Sequence, residues 1–474
     1  MKKKLLLALL LAIQCAFAQT LSYDSSFASN GKYTITGSNN YYWNRIIQNS
    51  DNSIYFTYAK DNPSLGSPEC VISKLNAYGT VDTSFGNNGE TIINNYFSGV
   101  QSELKKQTDG KILVMCFYTN GSAIVRLLPN GLLDTTFGVN GIAEINNIGT
   151  DFDSVGYGFY LQNDKIIVYG QATSDPGPYI HYKSIYRLNS NGSIDTTFGN
   201  NGSFNTPGNF IFLDNQSNII SFISNQNNTN IYPYGALEKY NSNGQPLISF
   251  GNNGVLAFTS NPGAVGSAFM DSNNNIVCSN INNEIFRIKP NGDHDNNFVF
   301  DNNSFPFNLI ALSSIITEKN GNYYISGLTG SMGETFFISK ITSTGAIDPV
   351  FNHYSETTGT SDFIGEMIIN DNNIITTKGV SKILKFILNN STLSISNETK
   401  TNISSIEFEN PVKQNLVYKS KEKINKIEIY SLEGKIVKTL NNNDTNVSEL
   451  LKGVYFVKVK FENGKVIAKK LIKN

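Results

Sequence analysis

The fold is decided by a stretch that reads Lys74-Leu75-Asn76-Ala77-Tyr78-Gly79-Thr80-Val81-Asp82-Thr83-Ser84-Phe85-Gly86. The same pattern recurs at residues 126–138, 187–199 and 239–251, and weaker copies occupy 287–299 and 340–352. Successive copies begin 52, 61, 52, 48 and 53 residues apart. Repeats of this length are typical of the blades of a β-propeller, each of which is a four-stranded sheet. Between the motifs, turn residues separate short runs rich in β-branched and aromatic residues, so the predicted fold is all-β.

The two ends of the repeat region are incomplete and complement each other. Residues 384–387 resemble the third strand of a blade but have no motif after them, whereas residues 23–27 resemble a fourth strand with no third strand before them. Joined together, they would complete one more blade and hide both sheet edges. We therefore predict a seven-bladed β-propeller over residues 19–390, closed by an N-terminal outer strand.

The spacing inside the motif predicts a tight hairpin and an ion pair across it. A glycine stands at the sixth position of all six complete copies, where a three-residue hairpin loop needs a left-handed residue. This register places a Lys or Arg opposite an Asp eight residues later, and Lys239 is the exception because it faces Leu247. The predicted pairs are Lys74–Asp82, Arg126–Asp134, Arg187–Asp195, Arg287–Asp295, Lys340–Asp348 and, across the closure, Lys385–Asp24.

These basic residues could form an anion-binding ring, but cross-strand pairs that fix the hairpin register are the better interpretation. Each in-register pair contributes roughly 0.2–1 kcal/mol. The phenylalanine three residues after each Asp position is expected to pack between neighbouring blades rather than to bind a ligand.

The repeats resemble the Delta-60 repeat family of bacterial propellers over residues 23 to about 390. The matching positions in the first copy are Leu75-Asn76, Gly79, Asp82, Phe85, Gly86 and Gly89, and later copies depart from the pattern at Leu247, Val299 and Asn352. The resemblance implies a fold and no particular activity.

The first 18 residues have the layout of a secretory signal peptide. Three lysines precede the apolar run Leu5–Ile13, and Ala16-Phe17-Ala18 precedes Gln19, so cleavage is expected between Ala18 and Gln19. A lipoprotein anchored through Cys15 is the rival interpretation, which the larger residues before that cysteine disfavour. No later segment is apolar over a length that would cross a bilayer as a helix, so we expect no transmembrane segment.

The C-terminal part differs from the repeats in composition and charge. Residues 19–400 carry 20 basic and 30 acidic residues, whereas residues 401–474 carry 14 basic and 8 acidic residues. A Ser, Asn and Thr-rich linker is expected at 391–405, followed by a small β-sandwich at 406–474 with a hairpin around Asn463-Gly464.

This tail resembles the type A C-terminal sorting domain of type IX secretion. The resemblance is carried by Asn410-Pro411, Ile429-Tyr430, Gly434-Lys435, Gly453-Val454-Tyr455 and the basic end Lys469–Asn474. It implies the type IX secretion machinery as a partner, and a secreted or outer-membrane surface location in a Gram-negative bacterium. A stabilising β-domain without a sorting role is the alternative.

Several classes of function are disfavoured by composition. The acidic body argues against a nucleic-acid partner held through phosphate contacts. Cys70, Cys116 and Cys278 form no disulfide framework or metal motif, and are expected to be buried thiols. The three histidines are isolated and no nucleotide-binding glycine loop is present, so we predict no metal and no cofactor.

The repeats do not identify the ligand. The longer second-to-third-strand loops at 60–69 and 172–183 are candidate binding regions, and Tyr179, His181 and Tyr182 of the second could stack on a sugar. Packing of that loop on its own blade is the plainer alternative. We therefore expect a non-enzymatic binding module with an unknown extracellular ligand, a glycan being one candidate. An extracellular polysaccharide-cleaving enzyme with a carboxylate pair from two blades is the second hypothesis, and a structural envelope component is the third.

Overall fold

In the computed structural model the chain forms two compact units, Met1–Asn390 and Ser391–Asn474. The structure describes only part of each unit. The described residues are 19–37, 45–62, 68–94, 103–118, 121–145, 152–173, 181–208, 210–223, 234–258, 265–280, 282–301, 309–329, 335–357, 364–370, 373–378, 381–390, 406–420, 422–431, 436–441, 444–462 and 466–474. Over these ranges the chain forms strands and turns, which confirms the all-β prediction, and no helix long and apolar enough to cross a membrane is found.

The first unit begins with two short strands, β1 (Gln19–Tyr23) and β2 (Lys32–Thr34). Four antiparallel sheets of four consecutive strands follow. Sheet 1 contains β3 (Ile46–Gln48), β4 (Ile54–Lys60), β5 (Glu69–Leu75) and β6 (Glu90–Ile93). Sheet 2 contains β7 (Leu104–Lys106), β8 (Ile112–Tyr118), β9 (Gly121–Leu127) and β10 (Ile142–Ile145). Sheet 3 contains β11 (Phe152–Gln162), β12 (Lys165–Thr173), β13 (His181–Leu188) and β14 (Ser203–Thr206). Sheet 4 contains β15 (Phe210–Leu213), β16 (Ile219–Ile223), β17 (Ala236–Tyr240) and β18 (Val255–Ala257).

Three more sheets complete this unit. Sheet 5 contains β19 (Val265–Met270), β20 (Ile276–Asn280) and β21 (Ile285–Ile288). Sheet 6 contains β22 (Leu309–Lys319), β23 (Asn322–Thr329), β24 (Thr335–Ile341) and β26 (Tyr354–Thr357), and the short β25 (Phe351–Asn352) precedes its last strand. Sheet 7 contains β27 (Ile364–Ile369), β28 (Asn373–Lys378) and β29 (Lys382–Asn390).

The hairpin inside the motif has the predicted left-handed glycine. In the first copy the Gly79 N–H donates to the Asn76 carbonyl at 3.0 Å, and Gly79 has φ +78°. A side chain at this position would also collide with the neighbouring segment, because a Cβ on Gly79 would lie 2.8 Å from the Ala28 nitrogen. All six predicted positions have φ between +78° and +87°, namely Gly79, Gly131, Gly192, Gly244, Gly292 and Gly345.

Inner strands such as β8 are buried on both faces because apolar clusters lie on either side of the sheet. In β8, for example, Ile112 to Phe117 are all buried, whereas a strand with one solvated face would alternate. Apolar clusters fill the spaces between sheets 1 and 2, 2 and 3, 3 and 4, 4 and 5, 5 and 6, 6 and 7, and 7 and 1. The motif phenylalanines lie in these clusters, as predicted, and they are Phe85, Phe137, Phe198, Phe250, Phe298, Phe351 and Phe27.

The N-terminal segment pairs with the last strand of this unit. Strand β1 runs antiparallel to β29 with Tyr23 opposite Phe386, and β2 continues along the same strand with Lys32 opposite Leu384. Between them the Asp24 N–H donates to the Lys385 carbonyl at 2.9 Å. The N-terminal segment therefore contributes two short strands. The outer strand predicted at residues 23–27 was wrong in position, because residues 24–27 follow the first strand as part of the turn.

The second unit contains two sheets around one core. Strands β30 (Ile406–Phe408) and β31 (Tyr418–Ser420) pair with each other. The other sheet has the order β33-β32-β34-β35, with β32 (Ile424–Tyr430), β33 (Ile436–Asn441), β34 (Gly453–Phe461) and β35 (Val466–Lys473). The two sheets share a core in which Ile406 packs with Ile429, Val457 and Leu471.

Candidate functional site

The six base–acid pairs predicted from the motif all lie within salt-bridge distance. The shortest base–acid N···O distances are 2.8, 2.8, 2.6, 2.5, 2.9 and 3.2 Å for Lys74–Asp82, Arg126–Asp134, Arg187–Asp195, Arg287–Asp295, Lys340–Asp348 and Lys385–Asp24. Their exposure differs widely: the side chains of Arg187 and Asp195 are each 4% exposed, whereas those of Lys74 and Asp82 are 20% and 23% exposed.

The pairs do more than join two strands of one hairpin. The Arg126 guanidinium lies 4.5 Å from the centroid of the Phe137 ring, and its Nη1 donates to the Ser190 carbonyl in the next sheet at 2.5 Å. Arg187 repeats this contact with the Ser242 carbonyl at 2.6 Å. In these two copies the motif arginine thus ties its own Asp and Phe to the backbone of the following sheet, and these structural contacts occupy donors that a ligand would otherwise use.

Burial and hydrogen bonding act in opposite directions on Asp134. Burial alone would raise the pKa of its carboxyl group, but hydrogen bonds from Thr136 and Lys111 and the charge of Arg126 outweigh it and lower the pKa to about 2. Asp134 is therefore ionised at neutral pH and is a poor proton donor or acceptor for catalysis.

Lys239 has a carboxylate partner, contrary to the sequence analysis. Its Nζ lies 2.8 Å from Oδ2 of Asp214, a residue at the turn between β15 and β16, while Leu247 occupies the usual acid position. The prediction of an unpaired lysine was wrong because the charge compensation comes from the hairpin on the other side of the third strand.

The predicted sugar-stacking residues form no describable site. Tyr179 lies outside the described residues, and His181 and Tyr182 begin β13 opposite Thr173 and Ala172, where their side chains are not described. His294 and His353 bond to Asn296 and Ser339 respectively. Within the described ranges, no group of three or more His, Cys, Asp or Glu residues could hold a metal ion.

A second set of polar residues, missed by the sequence analysis, lies at the first strands of three sheets, either within the strand or one residue before it. Arg45, Glu103 and Glu366 occupy equivalent positions, each four residues before the residue that opens the first turn of its sheet: Asn49, Gln107 and Asn370. They belong to sheets 1, 2 and 7, whose first strands β3, β7 and β27 are neighbours. The arginine therefore stands between two glutamates, one on each adjacent sheet.

Three more side chains from sheets 2 and 3 join this group, and we name the whole set the inner-strand cluster: Arg45, Glu103, Lys105, Tyr160, Tyr169 and Glu366. Lys105 Nζ lies 3.2 Å from Glu103 Oε2 and 5.8 Å from the centroid of the Tyr160 ring. The rings of Tyr160 and Tyr169 stack with centroids 5.7 Å apart. Glu366 is anchored because its Oε2 accepts the Ile46 N–H at 2.8 Å.

The side chains of the cluster are half-buried, and burial is the largest influence on the pKa of four of them. Burial raises the pKa of the Glu366 carboxyl and the neighbouring Glu103 adds to this, while Arg45 acts in the opposite direction. Burial would lower the pKa of Arg45, but the charges of Glu366 and Glu103 raise it. The pKa values of Tyr160 and Tyr169 are raised, first by burial, so both remain neutral phenols.

In the cluster the Arg45 cation lies between the carboxyl groups of Glu103 and Glu366, and Lys105 and the phenol groups of Tyr160 and Tyr169 lie beside them. Such a set can donate and accept hydrogen bonds in several directions, as recognition of a hydroxyl-rich molecule requires. A charged residue repeated four positions before the first turn of three sheets was the sequence signal, but it is visible only once the strands are aligned.

Two family models match parts of the chain. Residues 408–474 match the secretion system C-terminal sorting domain, and residues 107–137 and 161–198 match a β-propeller domain of unknown function, DUF5122. A search among curated proteins finds no significant match.

Solved structures similar to this chain have low sequence identity. A catalytically inactive virginiamycin B lyase from Staphylococcus aureus with quinupristin is 16% identical, with a TM-score of 0.44 over 76% of this chain and 99% of that one. The β-propeller domain of the Trilobed protease from Pyrococcus furiosus is 10% identical, with a TM-score of 0.43 over 77% and 100%. The sheets and the family matches together describe an all-β chain with a body of propeller type and a type IX secretion-sorting domain at residues 408–474, which implies export to the cell surface or beyond.

Proposed function

We propose that this chain is an exported binding module in which the inner-strand cluster recognises a neutral, hydroxyl-rich ligand, a glycan. In this proposal residues 1–18 are a signal peptide cleaved between Ala18 and Gln19. Residues 19–390 form a seven-bladed propeller of Delta-60-like repeats. Residues 391–405 are a linker, and residues 406–474 are a β-sandwich that directs type IX secretion.

The proposed closed ring is supported by contacts between sheet 7 and sheet 1 that repeat those between other neighbours. The Ala28 N–H donates to the Tyr78 carbonyl at 2.7 Å, as Gly86 does to Asn130 at 2.8 Å between sheets 1 and 2. Phe27 packs in the cluster between sheets 7 and 1. A ring of this kind would enclose the first strands and give the inner-strand cluster a cavity along the axis.

The observation that carries the glycan proposal is the balanced charge of the cluster beside a stacked pair of neutral tyrosines. Arg45 and Lys105 offset Glu103 and Glu366, so a strongly charged ligand would gain little. Hydroxyl groups can bond to both the cations and the carboxylates, and an aromatic ring offers a face to the apolar side of a sugar.

A pair of lysine variants tests this site. Lys105 and Lys60 each lie 3.2 Å from a glutamate, and their side chains are 35% and 39% exposed, but only Lys105 belongs to the cluster. Lys105→Met should weaken binding to a polysaccharide identified on a glycan array about tenfold, because a charge-assisted hydrogen bond is lost. Lys60→Met should bind like wild type, and equal affinity of all three proteins would reject the cluster as the binding site.

A polysaccharide-cleaving enzyme is the second candidate, favoured by the two carboxylates flanking Arg45. Burial raises the pKa of the Glu366 carboxyl, so this group could serve as a general acid, with the Glu103 side chain as the second carboxyl group of the pair. Reducing-sugar release by wild type, abolished in Glu366→Gln while binding persists, would establish this activity. Binding without release of reducing sugar would support the binding module. Absence of both binding and release would favour a structural envelope component.

The sorting role is tested separately by truncation. A chain ending at residue 403 should fold its propeller but remain in the periplasm of the producing cell. Unchanged export of this truncated chain would reject type IX sorting by the C-terminal domain.

A further inference from the structure

Two cysteines from neighbouring sheets lie in contact inside the propeller body. Cys70 is on β5 of sheet 1 and Cys116 is on β8 of sheet 2, 46 positions later in the chain. Their Sγ atoms are 3.2 Å apart, and both side chains are fully buried in the cluster between the two sheets. Both are free thiols in this structure.

A disulfide needs little movement from this arrangement. The sulfur atoms of a disulfide are about 2.05 Å apart, so an approach of about 1 Å would bring the two thiols to bonding distance. Rotation of the two side chains about their Cα–Cβ bonds can supply a shift of this size, because it moves each sulfur atom relative to its backbone.

Cys278 provides an internal comparison. It is equally buried, on β20 between sheets 4 and 5, but among the described residues no other cysteine lies near it. Burial as a small apolar residue therefore accounts for Cys278 fully, whereas it leaves the juxtaposition of Cys70 and Cys116 unexplained.

We propose that Cys70 and Cys116 are oxidised to a disulfide that joins sheets 1 and 2 during export. The sorting domain places the chain outside the cytoplasm, where disulfides form and persist. The oxidant is an oxidised dithiol protein of the cell envelope. One cysteine thiolate attacks its disulfide to form a mixed disulfide, and the second thiolate displaces the carrier. The two cysteine thiols lose two protons and two electrons, and the carrier leaves as a dithiol.

This exchange must precede the docking of the two sheets. The thiolate is the reactive form, and in the folded protein burial and the neighbouring Cys70 raise the pKa of the Cys116 thiol. Complete burial also denies a carrier protein access to either sulfur. Once sheets 1 and 2 pack together, the same burial would protect the bond from external reductants.

The test is a count of free thiols in the full chain recovered from the periplasm or medium of a producing cell. The protein is denatured without reductant, alkylated and mapped by mass spectrometry. Residues 19–474 made in a reducing cytosol, which lack Cys15, serve as the control. We expect the exported protein to carry label on Cys278 alone, with the Cys70 and Cys116 peptides joined, and the cytosolic protein to carry label on all three cysteines. Label on all three cysteines of the exported protein would overturn the proposal.

Two variants make the result specific. In Cys70→Ala, Cys116 should become fully alkylated, whereas in Cys278→Ala the Cys70–Cys116 linkage should persist. A linkage between Cys278 and either of the other two cysteines in wild type would also contradict the proposal. If Cys70→Ala fails to accumulate, the wild-type and Cys278→Ala maps still decide the question.

Discussion

Replacing Asp134 with asparagine should destabilise the propeller body by an amount that depends on pH. The pKa of this carboxyl is lowered from 3.8 to about 2, and a tenfold change in acidity is worth about 1.4 kcal/mol, so its ionised form contributes roughly 2 to 3 kcal/mol of stability at neutral pH. Asparagine keeps the shape but removes the charge, and leaves Arg126, whose side chain is 7% exposed, without its carboxylate. The loss at pH 7 should therefore be at least this large.

The sign of the pH dependence follows from the lowered pKa. Because the folded-state pKa lies below the unfolded-state value, the stabilisation is fully present above about pH 5 and is lost as the pH falls towards 2. At pH 3 about half of it should remain in wild type. The difference in unfolding free energy between wild type and Asp134→Asn should thus be about 1 kcal/mol smaller at pH 3 than at pH 7.

Urea denaturation followed by far-UV circular dichroism at the two pH values measures this difference. Asp82→Asn is the matched control, since Asp82 occupies the same motif position but is 23% exposed, and its loss should cost less than about 1 kcal/mol. Equal losses for the two variants, or a loss for Asp134→Asn that is the same at both pH values, would refute this account of the motif.

Three further perturbations test other parts of the structure. Asp214→Asn should destabilise sheet 4 by about 2 kcal/mol, and adding Leu247→Asp should restore part of the loss by offering the same lysine a carboxylate at the usual motif position, as urea denaturation would reveal. Gly131→Ala should cost at least 1 kcal/mol more than Gly110→Ala, because both have φ +87° but only at Gly131 would a Cβ collide with backbone, at 2.6 Å. Glu366→Gln should be more stable than wild type at pH 7 and equal to it at pH 4. The reason is that a carboxyl whose pKa is raised in the folded state lowers the unfolding free energy of wild type as the pH rises. Equal stability of the two proteins at both pH values would contradict the desolvation of Glu366.

The sequence predicted those features that depend on residues close together in the chain. The eight-residue spacing of Arg126 and Asp134 fixes both to one hairpin, so their proximity follows from the turn alone. The glycine in that turn and the phenylalanine that follows are specified in the same local way. Each repeat could therefore be interpreted without knowledge of its neighbours.

Contacts between sheets could not be predicted from the local spacing of residues. Asp214 replaces the missing partner of Lys239 from a turn 25 positions earlier in the chain, and Cys70 meets Cys116 across two sheets. Arg45 and Glu366 lie at opposite ends of the repeat region, and only the adjacency of sheets 7 and 1 brings them together. These pairings depend on the order and packing of the sheets, which the motif does not encode.

The docking of the N-terminal strand on β29 is the contact on which the proposed closed ring depends. It is tested most directly by cross-linking Thr20→Cys to Asn389→Cys, two positions that are register partners in the structure. Thr20→Cys with Lys382→Cys is the control, because Lys382 is the partner of Thr34 in β2. Mild oxidation should give an intramolecular cross-link in the first variant, detected as faster migration on non-reducing gels, and none in the second. Failure of the first pair to cross-link in folded protein, or equal cross-linking of both pairs, would contradict the closed ring.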